Sequence, residues 1–221
     1  MLIFTGHFFE GVLLFDLALE EGEFLISLAK NAVKTFLYSR QTVEPPKDTI
    51  PKFYEKCGVF VTINSFNGSE KALRGCIGYP YGTSSLVDAV INSAINAATS
   101  DPRFPSMTVD ELDKCAFEIS VLTPPELIQA DNPKKYVHQI RVGHDGLIVE
   151  KGYNIGLLLP QVPVEWKWCE EEFLCQCCMK AGLSPDSWLT KGVKIYRFAA
   201  IIFEEQTPNG KVKRLNLNQQ N

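Results

Sequence analysis

The chain has 221 residues, of which 45% are hydrophobic and 22% charged, and it contains 15 glycines and 13 prolines. This balance is typical of one fairly large globular domain or two small lobes, and it excludes a disordered or collagen-like chain. Lysine and arginine number 22 against 26 acidic residues, which gives a net charge of −4. Because this charge repels phosphate backbones, we expect no nucleic-acid partner.

The cysteines and the start of the chain bear on location. The chain contains seven cysteines, an odd number, and no secretory signal precedes them. Both observations indicate a reducing environment and predict a cytoplasmic protein. The apolar opening lacks a basic start and is interrupted by Gly6, Glu10, Gly11 and Asp16. We therefore expect neither a signal peptide nor a membrane span.

The first elements combine a helix with a hairpin. Apolar side chains recur at three- and four-residue steps over residues 20–40, which predicts an amphipathic helix. A β-branched run at residues 58–63 and a returning run at residues 71–77 flank Asn67 and Gly68. This pair has the turn chemistry of a tight hairpin.

Two capping signals predict the next helices. Ser85, with Asp88 three positions later, predicts a helix that continues to about Thr99. Thr108 and Glu111 repeat the pattern and predict a short helix.

Most elements of the second half are predicted to be strands. Residues 117–121 alternate between apolar and polar side chains, which predicts a half-buried strand. Asp145 and Gly146 predict the turn of a hairpin over residues 140–149, with residues 156–159 as a neighbouring strand. The long apolar run at residues 193–203 predicts one further strand.

One more helix is predicted over residues 165–181, and Gly182 is expected to end it. Hairpins dominate the chain, and no regular alternation of strands and helices occurs. The pattern predicts an α+β fold with an antiparallel sheet and flanking helices.

Leu73 to Gly78 reads Leu-Arg-Gly-Cys-Ile-Gly, and further motifs follow in order. These motifs lie at residues 97–105, 120–125, 156–166 and 180–183. Over about residues 17–213 the chain resembles the AMMECR1 family, especially its archaeal members. Residues 1–16 lie outside the resemblance and are either an extra strand or the translation of upstream sequence from a misassigned start.

The resemblance implies two unequal subdomains with a cleft between them, and it places the Arg-Gly-Cys strand near that cleft. It also implies possible Memo-like or radical-SAM protein partners, since family members are associated with such proteins. It implies no established reaction.

Cys76 is the candidate nucleophile of the motif. An ordinary thiol is only about 3% thiolate at pH 7, so reactivity requires a nearby positive charge. On a regular strand Arg74 would share the face of Cys76, while Gly75 and Gly78 would let a substrate or another backbone approach. The alternative is that Cys76 packs as a small buried side chain.

Three further residues are candidates for the site. Asp101 and Arg103 lie in a proline-flanked loop, where they would clamp each other or the carboxylate or phosphate of a ligand. Glu118 is the candidate for proton transfer if its strand face lines the cleft. The alternative for Glu118 is a solvated strand face.

Other motifs give no metal or cofactor site. On a single helix Cys175 and Cys178 share a face while Cys177 points away, so these thiols and Cys169 cannot meet at one ion. No Walker, dinucleotide or Gly-x-Ser-x-Gly motif is present, and no cofactor is expected. His144 lies in a predicted turn, where a surface role is expected.

Two functions remain open at this point. In the first, the chain is an enzyme or an enzyme-associated subunit whose cleft binds a small anionic or peptide-like ligand. Arg74 and Arg103 would hold that ligand, and Cys76 would act as a nucleophile or thiol donor. In the second, the motif surface docks a Memo-like or radical-SAM protein without catalysis.

Overall fold

The computed structural model describes residues 16–217, which form two antiparallel sheets flanked by helices. The helices are α1 (Leu19–Ser39), α2 (Leu86–Thr99), α3 (Val109–Leu112), α4 (Gln161–Glu165) and α5 (Glu170–Lys180). The strands are β1 (Gly58–Asn67), β2 (Glu70–Tyr79), β3 (Cys115–Leu122), β4 (Glu126–Leu127), β5 (Gly146–Lys151), β6 (Asn154–Leu158), β7 (Lys194–Phe198), β8 (Ala200–Glu205) and β9 (Val212–Arg214). Of the predicted N-terminal extension, all but Asp16 lies outside the described residues.

The predicted α+β class with two unequal subdomains is confirmed. The larger sheet has the strand order β2-β1-β3-β8-β9, and the smaller sheet has the order β4-β7-β5-β6. All of the strand pairs are antiparallel. No helix within residues 16–217 is both long and apolar enough to cross a membrane.

The larger subdomain has its core between one face of the five-stranded sheet and the helices α1 and α2. Ser85 begins α2 by accepting a hydrogen bond from the Asp88 N–H at 3.3 Å, as the capping signal predicts. Thr108 and Glu111 form the predicted capping box of α3. The apolar face of α1 runs through Leu25, Ala29 and other buried residues, which confirms the predicted amphipathic helix.

The smaller subdomain has a separate core between its sheet and α5. This core includes Leu147, Phe173, Cys177 and Ile195, all of which are fully buried. A third apolar cluster joins the two subdomains and contains Leu122, Ile148, Leu159 and Phe198.

The prediction of one strand over residues 193–203 is wrong, because the run divides at Ala199 into β7 and β8. Thr123 holds Ala199 from both sides: its hydroxyl accepts the Ala199 N–H at 2.8 Å, and its own N–H donates to the Ala199 carbonyl at 2.9 Å. The chain thus passes from one sheet to the other. Because both halves of the run are apolar, periodicity carries no sign of this crossing.

The predicted hairpin at residues 140–149 is also wrong. The Asp145 carboxylate accepts the Arg141 N–H at 2.8 Å, while His144 Nδ1 lies 2.6 Å from its other oxygen. This local bonding shapes a turn before β5 rather than a hairpin tip. The hairpin of this region joins β5 to β6 through Gly152, at a φ of 62°, and Tyr153.

The single helix predicted over residues 165–181 is instead divided into α4 and α5. Lys167 has a φ of 56°, and the Cys169 N–H donates to Glu172 at 2.9 Å to begin α5. Gly182 follows the helix with a φ of 73°, as expected. Within residues 16–217 no group of three or more histidine, cysteine or acidic side chains is arranged to hold a metal ion.

Candidate functional site

A β-bulge shapes the motif strand at Arg74. In the pairing of β1 with β2, Ile63 lies opposite Gly75 while Asn64 lies opposite Leu73, so Arg74 is the extra residue. The bulge interrupts the alternation of side chains. Contrary to the shared-face expectation, Arg74 and Cys76 leave the strand toward different partners.

Arg74 is engaged with the loop and helix that follow α2. Its Nε donates to Glu111 at 2.8 Å, and its Nη2 donates to the Pro105 carbonyl at 2.9 Å. The guanidinium group lowers the pKa of Glu111 to about 2. Arg74 therefore fastens α3 to β2 and does not line the cavity described below.

Gly75 and Gly78 lie where two other backbones come close. A Cβ atom on Gly75 would collide with the carbonyl oxygen of Ala97 in α2. A Cβ atom on Gly78 would collide with the backbone of Val59 and Phe60 in β1. The sequence allows either a substrate or another backbone to approach these glycines, and the structure shows the approach of another backbone.

Asp101 and Arg103 cover the edge of β2. The Asp101 carboxylate accepts the Cys76 N–H at 2.8 Å, and Arg103 Nη2 donates to the Cys76 carbonyl at 3.4 Å. Arg103 also donates to Asp101 at 2.7 Å and 3.0 Å. Hydrogen bonds from Arg103 and Cys76 hold the pKa of Asp101 well below its usual range. Asp101 and Arg103 thus bind the N–H and C=O groups of Cys76, which a neighbouring strand would otherwise pair with.

A cavity of about 320 Å³ lies between the two subdomains. Phe60, Cys76 and Arg103 line it from the larger one. Its other wall consists of residues 155–159, Val162 and Lys180. Two larger depressions, of about 450 Å³ and 490 Å³, contain none of the site residues predicted from the sequence.

The Cys76 thiol is partly buried in this cavity. The Thr62 hydroxyl donates to its sulfur at 3.2 Å. Burial raises the thiol pKa, and the nearby Glu118 and Asp101 raise it further, while Thr62 and Arg103 act in the opposite direction. The thiol is consequently protonated at neutral pH, and the positive charge of Arg103 does not activate it.

Glu118 lies beneath α4 and outside the cavity lining. Gln161 Nε2 donates to the Glu118 carboxylate at 2.9 Å and contacts the Ser120 hydroxyl at 3.4 Å. Burial, together with the nearby Glu204, raises the pKa of Glu118 to about 7. The alternative of a solvated strand face is wrong, because Glu118 and Ser120 are both buried.

The strand register places Glu118 and Cys76 on either side of one residue of β1. Thr62 in β1 lies opposite Cys76 on one side and opposite Glu118 on the other. Sequence reasoning assigned no role to Thr62, Gln161 or Lys180, because only the strand pairing and the docking of α4 and α5 bring them to this region. Gln161 and Lys180 do lie in the motifs at residues 156–166 and 180–183, and this position is the sequence signal that could have pointed to them.

Fold and site together define a class of α+β proteins. Its members have two antiparallel sheets with a cavity between them, and the Leu-Arg-Gly-Cys-Ile-Gly strand borders that cavity. Residues 26–203 match the AMMECR1 family, and the chain belongs to that family. The matched range lies within the predicted boundaries of 17–213, which remain a prediction.

Close relatives of the chain are archaeal proteins, as the resemblance implies. Protein PH0010 of Pyrococcus horikoshii is 53% identical over 203 residues, which cover 91% of this chain and 98% of that protein. Protein MJ0810 of Methanocaldococcus jannaschii is 49% identical over 196 residues, covering 89% and 96%. The crystal structure of the uncharacterized protein PH0010 matches with a TM-score of 0.86 and 52% identity, over 90% of this chain and 98% of that one.

Proposed function

We propose that the chain is an enzyme or an enzyme-associated subunit that binds a small anionic or peptide-like ligand in the cavity beside Cys76. The observation that carries this proposal is the pair of cations in its lining, Arg103 and Lys180, which come from different subdomains. Most of the remaining lining is apolar. Such a lining suits a ligand with an apolar body and one carboxylate or phosphoryl group.

The predicted site residues take distinct parts in this proposal. Arg103 and Lys180 bind the anion, and Asp101 positions Arg103. Cys76 contacts the ligand as a neutral thiol. Arg74, Gly75 and Gly78 act through the shape of the motif strand.

Glu118 is the proposed proton carrier. A carboxyl group with a pKa of about 7 exists in both protonation states near neutral pH, which suits general acid–base chemistry. Thr62 lies opposite both Glu118 and Cys76 in the sheet and donates to the Cys76 sulfur, so its hydroxyl is the proposed link between Glu118 and the cavity. The reducing, cytoplasmic location belongs to the same proposal, and it is supported by seven cysteines that are all free of disulfides.

Anion binding can be tested by exchanging a single lysine. Hexanoate and phenyl phosphate serve as probes in NMR titrations of the full chain. Lys180→Met should weaken their binding about tenfold, because it removes one of two cations from the lining. The matched control Lys191→Met changes an exposed lysine that does not line the cavity and should leave binding unchanged. Equal binding by both variants, or no binding of either probe to the wild type, would overturn the proposal.

A second candidate is the non-catalytic docking of a Memo-like or radical-SAM protein. Trp166 favours it, because this side chain directly follows α4 and is 68% exposed. Exposed tryptophans are frequent centres of protein interfaces. With a purified Memo-like protein, Trp166→Ala should abolish binding while Cys76→Ala retains it. The reverse ranking would count against docking.

A further inference from the structure

The edges of the two sheets differ in how they are protected. Natural proteins shield exposed edge strands by shortness, charge, proline or a covering segment, since unpaired backbone groups recruit other strands. At one edge β9 has three residues, two of them basic, and at another β4 has two residues, one of them acidic. At the third, Asp101 and Arg103 cover β2.

The fourth edge, β6, has none of these protections. Its five residues, Asn-Ile-Gly-Leu-Leu, include neither a charge nor a proline. Ile155 is 58% exposed. An uncovered apolar edge of this kind is a place where another extended chain can pair.

The hairpin geometry determines which groups of β6 are free. A two-residue loop at Gly152 and Tyr153 makes Lys151 and Asn154 the hydrogen-bonded closing pair. Alternation along the ladder then directs the N–H and C=O groups of Ile155 and Leu157 away from β5. Within residues 16–217 these outward groups form no hydrogen bond to another segment.

The free edge faces the cavity. Residues 155–159 all line it, although successive side chains of a strand point to opposite faces. Because residues from both alternating sets contribute to the lining, a cavity that extends along the backbone edge accounts for the whole run. The unpaired groups of Ile155 and Leu157 thus border the same space as Cys76 and Arg103.

We propose that the cavity binds a short extended peptide, which adds to β6 as a fifth strand of the smaller sheet. The Ile155 and Leu157 N–H groups donate to peptide carbonyls, while the Ile155 and Leu157 carbonyls accept peptide N–H groups. Arg103 and Lys180 bind the peptide carboxylate. This inference rests on the proposed function and names its ligand class.

The size of the space selects a short peptide rather than a folded partner. At about 320 Å³ the cavity lies at the lower end of the range for ligand pockets, roughly 300–1,000 Å³. A ligand without a peptide backbone would leave the β6 groups unpaired. Backbone pairing also tolerates varied side chains, so many sequences should bind.

The test uses a library of tripeptides with free carboxylates, screened against the full chain by affinity-selection mass spectrometry. The tightest binder is then compared with versions that are N-methylated at each amide in turn and with its C-terminal amide. At least one N-methylation should weaken binding tenfold or more, because it removes a donor while retaining charge and side chains. The C-terminal amide should also bind more weakly, because it lacks the carboxylate.

A protein variant tests the same pairing from the other side. Ile155→Pro removes an N–H group that β5 does not use, whereas the control Ile155→Thr retains it. The proline variant should bind the tripeptide at least fivefold more weakly than the threonine variant. If hexanoate binds but no tripeptide does, or if N-methylation has no effect, the peptide inference fails and the anion site survives. If neither hexanoate nor any tripeptide binds, both proposals fail.

Discussion

The edge strands β2 and β6 border the same cavity, yet their backbones are in opposite states. At Cys76 the outward N–H and C=O of β2 are bound by Asp101 and Arg103. At Ile155 and Leu157 the corresponding groups of β6 have no such partners within residues 16–217. Asp101 and Arg103 thus close the edge at the Arg-Gly-Cys motif, while the free backbone groups that the proposed peptide pairing needs lie on the other edge.

The largest expected effect comes from opening the closed edge. Asp101→Ala removes the acceptor of the Cys76 N–H and the partner of Arg103, so we expect a loss of about 3 kcal/mol in unfolding free energy. Urea denaturation at pH 7 measures it. The control Asp113→Ala, at an exposed aspartate, should change stability by less than about 0.5 kcal/mol. A loss below about 1 kcal/mol for Asp101→Ala would show that its side chain does not hold this edge.

The pH dependence of stability should identify Glu118. Its pKa is about 7 in the folded state and about 4.3 when unfolded, so the folded state binds the proton more tightly. This contribution is complete below about pH 4.3 and is lost as pH rises through 7, and the loss between pH 4.5 and pH 7 is roughly 3 kcal/mol. Glu118→Gln should flatten the urea-derived stability curve between pH 4.5 and 7. An unchanged slope would mean that Glu118 ionises normally.

Arg74 should matter for stability but not for binding. Arg74→Met breaks its hydrogen bonds to Glu111 and Pro105 and should cost about 2 kcal/mol of unfolding free energy. Hexanoate affinity, measured by NMR titration on the folded variant, should stay within about twofold of wild type. Greater weakening, with stability preserved, would return Arg74 to the ligand-binding set.

Cys76 should react slowly. Because its thiol pKa is raised, iodoacetamide should alkylate it at least about tenfold more slowly at pH 7 than the exposed Cys169, as measured by peptide mass spectrometry. The rate should still increase above pH 9. A plateau below pH 8 would reveal an activated thiolate.

The smallest stability change is expected at the open edge. Ile155→Pro removes no ladder hydrogen bond, so unfolding free energy should fall by less than about 1 kcal/mol relative to Ile155→Thr. Urea denaturation of the two variants compares them directly. A loss of about 3 kcal/mol would indicate that the Ile155 N–H is already paired.

Local signals in the sequence predicted local structure well. The cap at Ser85 and the turn at Gly68 act through neighbouring residues, and both occur as expected. The Arg74 bulge and the crossing at Ala199 depend on strands distant in sequence, which periodicity cannot show. The motifs predict that Cys76 and Arg103 belong to one site, and both line the cavity. The sequence does not predict that Gln161 covers Glu118, because this contact joins residues that are distant along the chain.

Amide hydrogen exchange, followed by NMR in the full chain, tests the contrast between the edges most directly. In the free protein the Cys76 N–H should exchange slowly, like an amide inside a sheet, while the Ile155 and Leu157 N–H groups exchange at least about a hundredfold faster. Adding the tightest tripeptide should slow the exchange of Ile155 and Leu157. Slow exchange of Ile155 and Leu157 before any ligand is added would contradict an open β6 edge.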